Sequence, residues 1–255
     1  MTSFRVLIPA RFASSRLPGK PLADLGGRPM IVRVLERARE CGADEVIVAT
    51  DDPRIGAAVE AAGGIARSTS PDHQSGTDRL AEVASDLGWD DDDIVVNLQG
   101  DEPLVPAGLP GQLASALGAR PDVGIATVAV PIDTPEELFS PNAVKVVLDE
   151  EGRALLFSRA PVPWVRDEFA HGRPTELPDG IPFLRHLGLY AYRVGTLKRI
   201  AAASPAPLER AESLEQLRAM VMGIGIHVTV LPEAPPPGID TPEDLDRARA
   251  FFETP

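Results

Sequence analysis

The sequence has a single cysteine, Cys41, four histidines and an aromatic content of only 5% in 255 residues. One thiol excludes an intrachain disulfide framework and a cysteine-rich zinc site. His73, His171, His186 and His227 show no metal-ligand spacing. No apolar run reaches the roughly 18–20 residues that span a bilayer, and the N-terminus lacks the pattern of a secretory signal. A cytoplasmic protein is the expectation. Positive charge is scarce: 25 Lys and Arg face 38 Asp and Glu, a net charge of −13. So acidic a chain is unsuited to broad contact with nucleic acid or an anionic membrane, and an anionic ligand would need a local basic pocket.

One stretch lacks acid instead. No Asp or Glu precedes Asp24, whereas "VLIPARFASSRLPGKPL" (6–22) carries Arg11, Arg16 and Lys20. The stretch begins as a buried strand and breaks into a loop, and the carboxyl end of a first strand is where open α/β sheets bind ligands. Three cationic donors, with Gly19 permitting close backbone approach, suit a polyphosphate; the plainer alternative is a solubilising surface loop. Two common nucleotide motifs are missing. There is no G-x-G-x-x-G, and Gly19-Lys20 is followed by Pro21 rather than Ser or Thr, so neither a dinucleotide fold nor a P-loop is indicated.

The chain has the length and the 44% hydrophobic content to bury a full core, and 1–255 is read as a single domain. Residues 4–8, 45–50 and 94–98 read as buried strands, as does the stretch near 124–132. Between them lie helices with apolar stripes: Met30 to Cys41 behind Pro29, Ile55 to Ala62 behind Asp52-Pro53, Leu80 to Leu87, and about 109–118. Continuous apolar strands alternating with amphipathic helices predict a mostly parallel α/β sheet covered on both faces. The rhythm changes after about 131. Residues 142–159 suggest two strands joined by a turn at 149–152, followed by a Pro-rich loop and the strand "FLRHLGLYAYRV"; 131–190 is therefore expected to form an inserted lobe. Helices resume over 194–222, "IHVTVL" gives a strand, and Thr241, Pro242 and Asp244 predict a capped C-terminal helix.

Several polar clusters fall at the ends of these elements. In "NLQGDEP" (97–103), Asp101 and Glu102 directly follow a strand and offer hard oxygen ligands, although a Gly-Asp turn accounts for them equally well. Asp240, in "GIDTPEDL", is a natural second carboxylate, or simply the residue before a helix cap. "DHQSGTDRL" (72–80) opens a helix whose free N–H groups and Arg79 can meet a base or phosphate, or merely start a helix. Arg159 and His186 suit a carboxylate or sugar hydroxyls, while packing explains Tyr190, Tyr192 and Trp164 as well. Glu212, Glu215 and Gln216 can face a polyol or form a solvated helical face.

Together, "IPARFASSRLPGKPL", "DHQSGTDRL", "NLQGDEP", "NAVKVVLD", "FSRAPVPW", "LRHLGLYAYR", "ESLEQLR" and "GIDTPEDL" resemble the 3-deoxy-manno-octulosonate (Kdo) cytidylyltransferases of lipopolysaccharide biosynthesis over residues 4–250. The resemblance implies a Rossmann-like nucleotidyltransferase α/β fold. It implies a homodimer built through the lobe, and Mg²⁺-dependent transfer of CMP from CTP to Kdo with release of pyrophosphate. Ala10, Arg11, Arg16, Lys20, Ser75, Gly76 and Arg79 match the family's nucleotide-binding positions. Asp101 and Asp240 match its metal carboxylates, and with Arg11 and Lys20 its catalytic set. Gln99, Arg159, His186, Tyr190, Glu215 and Gln216 match positions lining its sugar site. Loop 166–182 has no counterpart in these motifs. A related enzyme acting on a sialic acid or 8-amino-Kdo, and a catalytically silent nucleotide-binding dimer, are the alternatives. Enzymes using UTP or dTTP open with an A-x-G-x-G-x-R loop, which "PARFASSR" lacks.

Overall fold

The structure, a computed structural model, describes residues 2–13, 17–73 and 75–253. Arg16, expected in the basic loop, lies outside the described residues. Strand β1 (Arg5–Ala10) is followed by a single 3-10 turn (Lys20–Leu22), helix α1 (Met30–Arg39), β2 (Glu45–Thr50), α2 (Pro53–Ala61) and β3 (Ile65–Ser68). Next come α3 (Gly76–Asp86), β4 (Ile94–Asn97), α4 (Gly108–Gly118), β5 (Ile125–Pro131) and the short α5 (Pro135–Leu138). The second half supplies β6 (Lys145–Leu148), β7 (Ala154–Ser158), β8 (Leu184–Arg193), α6 (Val194–Ala202), α7 (Pro207–Glu212), α8 (Gln216–Val221), β9 (Ile226–Val230) and α9 (Pro242–Glu253).

The main sheet runs β3-β2-β1-β4-β8-β5-β9, and β8 alone is antiparallel to its neighbours. Side chains alternate across each strand, so Val6 and Ile8 face one layer and Leu7 the other. On the first face they pack with Ile31, Val34 and Leu35 of α1, Ile55 and Val59 of α2, and Leu109, Leu113 and Leu117 of α4. Leu7, Ile47 and Val95 meet Leu80, Val83 and Ala84 of α3, Leu197 and Ile200 of α6, and Leu217 of α8. Both faces are thus covered, as unbroken apolar strands require. Strand β3 carries no such signal in the sequence. It is a four-residue edge strand with Ile65 41% exposed, and parallel pairing with β2 defines it rather than burial.

The segment expected as an inserted lobe, 131–190, divides. β6 and β7 form an antiparallel hairpin joined by a turn at Asp149–Gly152, and its base is bridged to β8 through Lys145 and Arg185. Residues 184–190, by contrast, belong to β8, whose pairing with β4 and β5 puts it inside the central sheet. The hairpin too joins that nine-stranded sheet, off its main path, and places Val146 and Phe157 in the core of the second face. The segments around 132–139 and 165–183 have a small core of their own, built from Ile132, Leu138, Phe169 and Phe183.

Candidate active site

In the strand order, β1 lies between β2, which leads outward to β3, and β4, from which the sheet grows the other way. Such a reversal opens a crevice at the carboxyl ends of the strands. A cavity of about 450 Å³ occupies it, lined by Ala10, Arg11 and Lys20 from the β1 loop, Ser75, Gly76 and Arg79 from the start of α3, Gln99 and Asp101 after β4, and Asp240. Eight of the nucleotide and metal candidates therefore share one cavity, although they span 230 residues of chain.

Local rules fix each contributor. Gly19 adopts φ 69°, a left-handed conformation in which an L side chain is strained, and caps the turn that aims Lys20 inward. Phe12 packs against Gly19 and carries the Arg54 guanidinium 3.7 Å above its ring, which pins the loop to α2. Ser75 and Asp78 close a capping box (3.2 and 3.1 Å), so α3 begins with its N–H groups at the cavity wall. Gly100 is needed for close approach: a Cβ there would stand 2.9 Å from the Pro9 carbonyl. Asp240 is brought to Asp101 by backbone, because the Ile239 N–H donates to the Asp101 carbonyl at 2.8 Å. Asp240 also precedes the N-cap Thr241 of α9, whose capping box with Asp244 forms as expected (2.8 and 3.2 Å). The two readings of Asp240 are compatible.

Lys20 Nζ donates to Asp101 Oδ2 at 2.5 Å and to Asp240 Oδ1 at 2.9 Å. Both carboxylates are therefore within reach of one cation. Among the described residues no cluster of three or more His, Cys, Asp or Glu is poised for a metal. Two carboxylates at the mouth of a polyphosphate-sized pocket fit Mg²⁺, which takes one or two protein carboxylates and completes its shell with phosphate and water. Glu102, beside this pair, is pushed up to about 7 by its burial and by the Asp101 charge, and is a poorer ligand at neutral pH. Arg79 lines the cavity, but it is buried and bound to Asp51 Oδ2 (2.9 Å) and the Thr69 hydroxyl. It stiffens the wall more than it offers a free donor.

A second cavity, of about 200 Å³, shares Gly76 and Gln99 with the first. Its polar lining is Thr77, Asn97, Gln99, Tyr190, Tyr192, Glu215 and Gln216. The sheet register explains much of the gathering, since Asn97 pairs with Tyr190 across β4 and β8 and Tyr192, two residues on in β8, shares that face, while Gln99 follows in the loop after β4. Thr77 donates its hydroxyl to Glu215, tying α3 to the start of α8. Burial, and then the Glu215 charge, hold the Tyr190 phenol well above its usual range; Tyr192 is raised by burial, Tyr190 and Glu215. Both phenols remain protonated donors. Thr77, Asn97 and Tyr192 were not among the expected site residues; the alternation Asn97-x-Gln99 and Tyr190-x-Tyr192 is the sequence signal that marks two of them.

Of the expected sugar-site residues, Arg159 and His186 line neither of these two cavities. Arg159 Nε donates to the Glu212 carbonyl (2.6 Å) and a terminal nitrogen to the Pro141 carbonyl (2.8 Å). Its backbone N–H and the Ser158 hydroxyl bind the two oxygens of the Glu212 carboxylate (2.6 and 2.7 Å). These bonds lash β7 to α7. His186 lies behind Tyr190, with its Nε2 2.9 Å from Thr127 Oγ1, which itself donates to the Leu189 carbonyl at 2.7 Å. That chain assigns the proton to Nε2 of a neutral ring. Burial drives His186 down from 6.5 to about 3. As pH falls below 6.5 the unfolded chain takes up this proton and the native state refuses it, so stability is lost between about pH 6.5 and 3. In urea denaturation, His186→Gln is expected to reduce the stability difference between pH 7 and pH 5 by up to about 2 kcal/mol. An unchanged difference would contradict a neutral His186.

The switch-point crevice, the basic loop and the facing carboxylates define an α/β protein built to handle a nucleotide. A family model described as cytidylyltransferase matches residues 5–226, and the chain belongs to that family. It is also similar to the solved structure of CMP:2-keto-3-deoxy-manno-octonic acid synthetase complexed with CTP, at 42% identity over 98% of each chain with a TM-score of 0.88. A cytidylyltransferase from Leptospira borgpetersenii serovar Hardjo-bovis (strain JB197) shares the fold. It has 17% identity over 98% of this chain and 86% of its own, with a TM-score of 0.60.

Proposed function

We propose that this protein transfers CMP from CTP to the 2-keto sugar acid Kdo, releasing pyrophosphate and activating the sugar for lipopolysaccharide biosynthesis. The observation that carries the reading is the 42% identity, over nearly the whole chain, to a synthetase of that product complexed with CTP. The adjoining cavities support it: a basic and acidic one of about 450 Å³ for the nucleotide, and a hydroxyl-rich one of about 200 Å³ for the sugar. Arg11 and Lys20 would hold the triphosphate, with the N–H groups at the start of α3 beside them. Gln99, on the wall common to both cavities, would orient the sugar hydroxyl toward the α-phosphorus, with Tyr190, Glu215 and Gln216 holding the rest of the polyol.

The C2 hydroxyl oxygen forms the new bond to the α-phosphorus while the bond to the β-phosphate bridging oxygen breaks. Pyrophosphate leaves with that electron pair and the hydroxyl proton passes to solvent. Asp101 and Asp240 would hold Mg²⁺, which neutralises phosphate charge and acidifies the attacking hydroxyl. No histidine base is required, and none is assigned to His186, which lines neither cavity.

No helix is long and apolar enough to cross a membrane among the described residues, and we assign the protein to the cytoplasm, where CTP is available. We also read it as a homodimer. Successive residues Leu155 and Leu156 of β7 are 59% and 40% exposed and Trp164 is 53% exposed, so the hairpin and the loop after it offer apolar surface to a second copy. Incubation with CTP, Mg²⁺ and a panel of 2-keto sugar acids, followed by pyrophosphate assay, tests the activity. Turnover with Kdo above 8-amino-Kdo and sialic acids is expected; tight CTP binding without pyrophosphate from any of them would leave a silent nucleotide-binding protein.

A further inference from the structure

By position Lys20 belongs to the basic loop, yet its ammonium is spent on the two carboxylates, 2.5 Å from Asp101 and 2.9 Å from Asp240. We propose that Lys20 is a resident counter-ion that keeps the divalent-cation seat closed until a polyphosphate draws it away, so that nucleotide and metal bind synergistically. The proposal rests on the reading that Asp101 and Asp240 hold the metal.

The geometry makes this exchange inexpensive. The backbone at Lys20 is held by Leu22 N–H to the Gly19 carbonyl (2.8 Å) and Ala23 N–H to the Lys20 carbonyl (3.1 Å), and Pro21 is buried. Only the side chain has to turn. That side chain is 13% exposed, against 29% for Asp101 and 47% for Asp240, so the ammonium sits inside the pair with the carboxylates nearer the mouth. A divalent ion arriving alone would bring a like charge against the ammonium, or force it to leave two carboxylates for no partner. Triphosphate entering the same cavity offers Lys20 that partner. Each ligand then removes the obstacle to the other, and the coupling is reciprocal.

The alternative is an ordinary structural ion pair tying the β1 loop to the segment before α9. In that case losing the ammonium would cost stability without improving metal binding. Mn²⁺ serves as the probe, with free ion counted by electron paramagnetic resonance in the absence of nucleotide. Lys20→Met, and Lys20→Gln as a second variant should the first fold poorly, are expected to bind Mn²⁺ at least about tenfold more tightly than the wild type. Lys20→Arg, which keeps a cation, should stay weak. Adding Asp101→Asn to Lys20→Met should abolish the gain.

Equal Mn²⁺ affinity in wild type and both neutral variants would overturn the proposal, as would a tightened site that survives Asp101→Asn. Failure of the underlying reading looks different. It would appear as Mn²⁺ binding by the wild type with CTP that Asp101→Asn does not weaken.

Discussion

Asp101→Asn is expected to lower kcat/KM for pyrophosphate release by about a thousandfold, some 4 kcal/mol of transition-state stabilisation, with little change in folding. The substitution keeps the shape of the side chain and removes its charge. The backbone bond that joins the two acidic segments, Ile239 N–H to the Asp101 carbonyl, does not involve that charge. Lys20 retains Asp240 at 2.9 Å, so the loop keeps an anchor. The loss would fall on the chemistry, because the remaining carboxylate would hold Mg²⁺ more weakly, and the ion is what would offset the repulsion met when an anionic sugar approaches a triphosphate. Melting temperature within about 3 °C of the wild type, roughly 1 kcal/mol for a domain of this size, would show that the fold is intact. Near-normal turnover in that folded variant would contradict the proposal that Asp101 holds a metal ion.

Lys145→Met is expected to do the reverse, costing stability before chemistry. Lys145 is fully buried, and its Nζ donates to the carbonyls of Ser140 (2.8 Å), Ala143 (2.5 Å) and Arg159 (2.6 Å). Two opposing effects decide the outcome. Burying the ammonium is unfavourable, and desolvation accordingly lowers its pKa, so a neutral thioether of similar length recovers that cost. Against this, three carbonyls lose a charged donor at once, and each buried acceptor left unpaired costs about 1–3 kcal/mol. Three acceptors outweigh one desolvation. A net loss of about 3 kcal/mol, or roughly 10 °C in melting temperature, is the expected result. The loosened region should be the base of the β6–β7 hairpin and Arg159, readable as faster amide exchange at 143–159 with slower exchange retained in β1 and β2. A stability equal to the wild type would mean that the three carbonyls find water instead.

The hairpin also shows where reading the sequence stops. Its two strands and its turn were legible from "NAVKVVLDEEGRALLFSR". That the next strand, β8, enters the main sheet between β4 and β5 was not, because strand order depends on pairing between segments far apart in the chain. β3 escaped notice for a related reason: an exposed edge strand has neither an apolar run nor an alternation to announce it.

The candidate site divides along the same line. Arg11, Lys20, Gln99, Asp101 and Asp240 were legible because each follows a strand or precedes a cap, and because the long motifs around them match a known family. Arg159 and His186 sit in equally distinctive motifs, but residue type does not reveal which way a side chain faces. In the fold one binds backbone carbonyls and the other lies neutral behind Tyr190. By itself, then, the sequence determined the class of fold, the single acid-free basic loop and the residues able to hold a polyphosphate and a cation, since these follow from periodicity, charge and local turn chemistry. Only the tertiary structure decided that Asp101 and Asp240 meet at Lys20, and that Tyr190 rather than His186 faces the second cavity. Those outcomes depend on sheet register and on a single backbone bond between segments 138 residues apart, which no local pattern encodes.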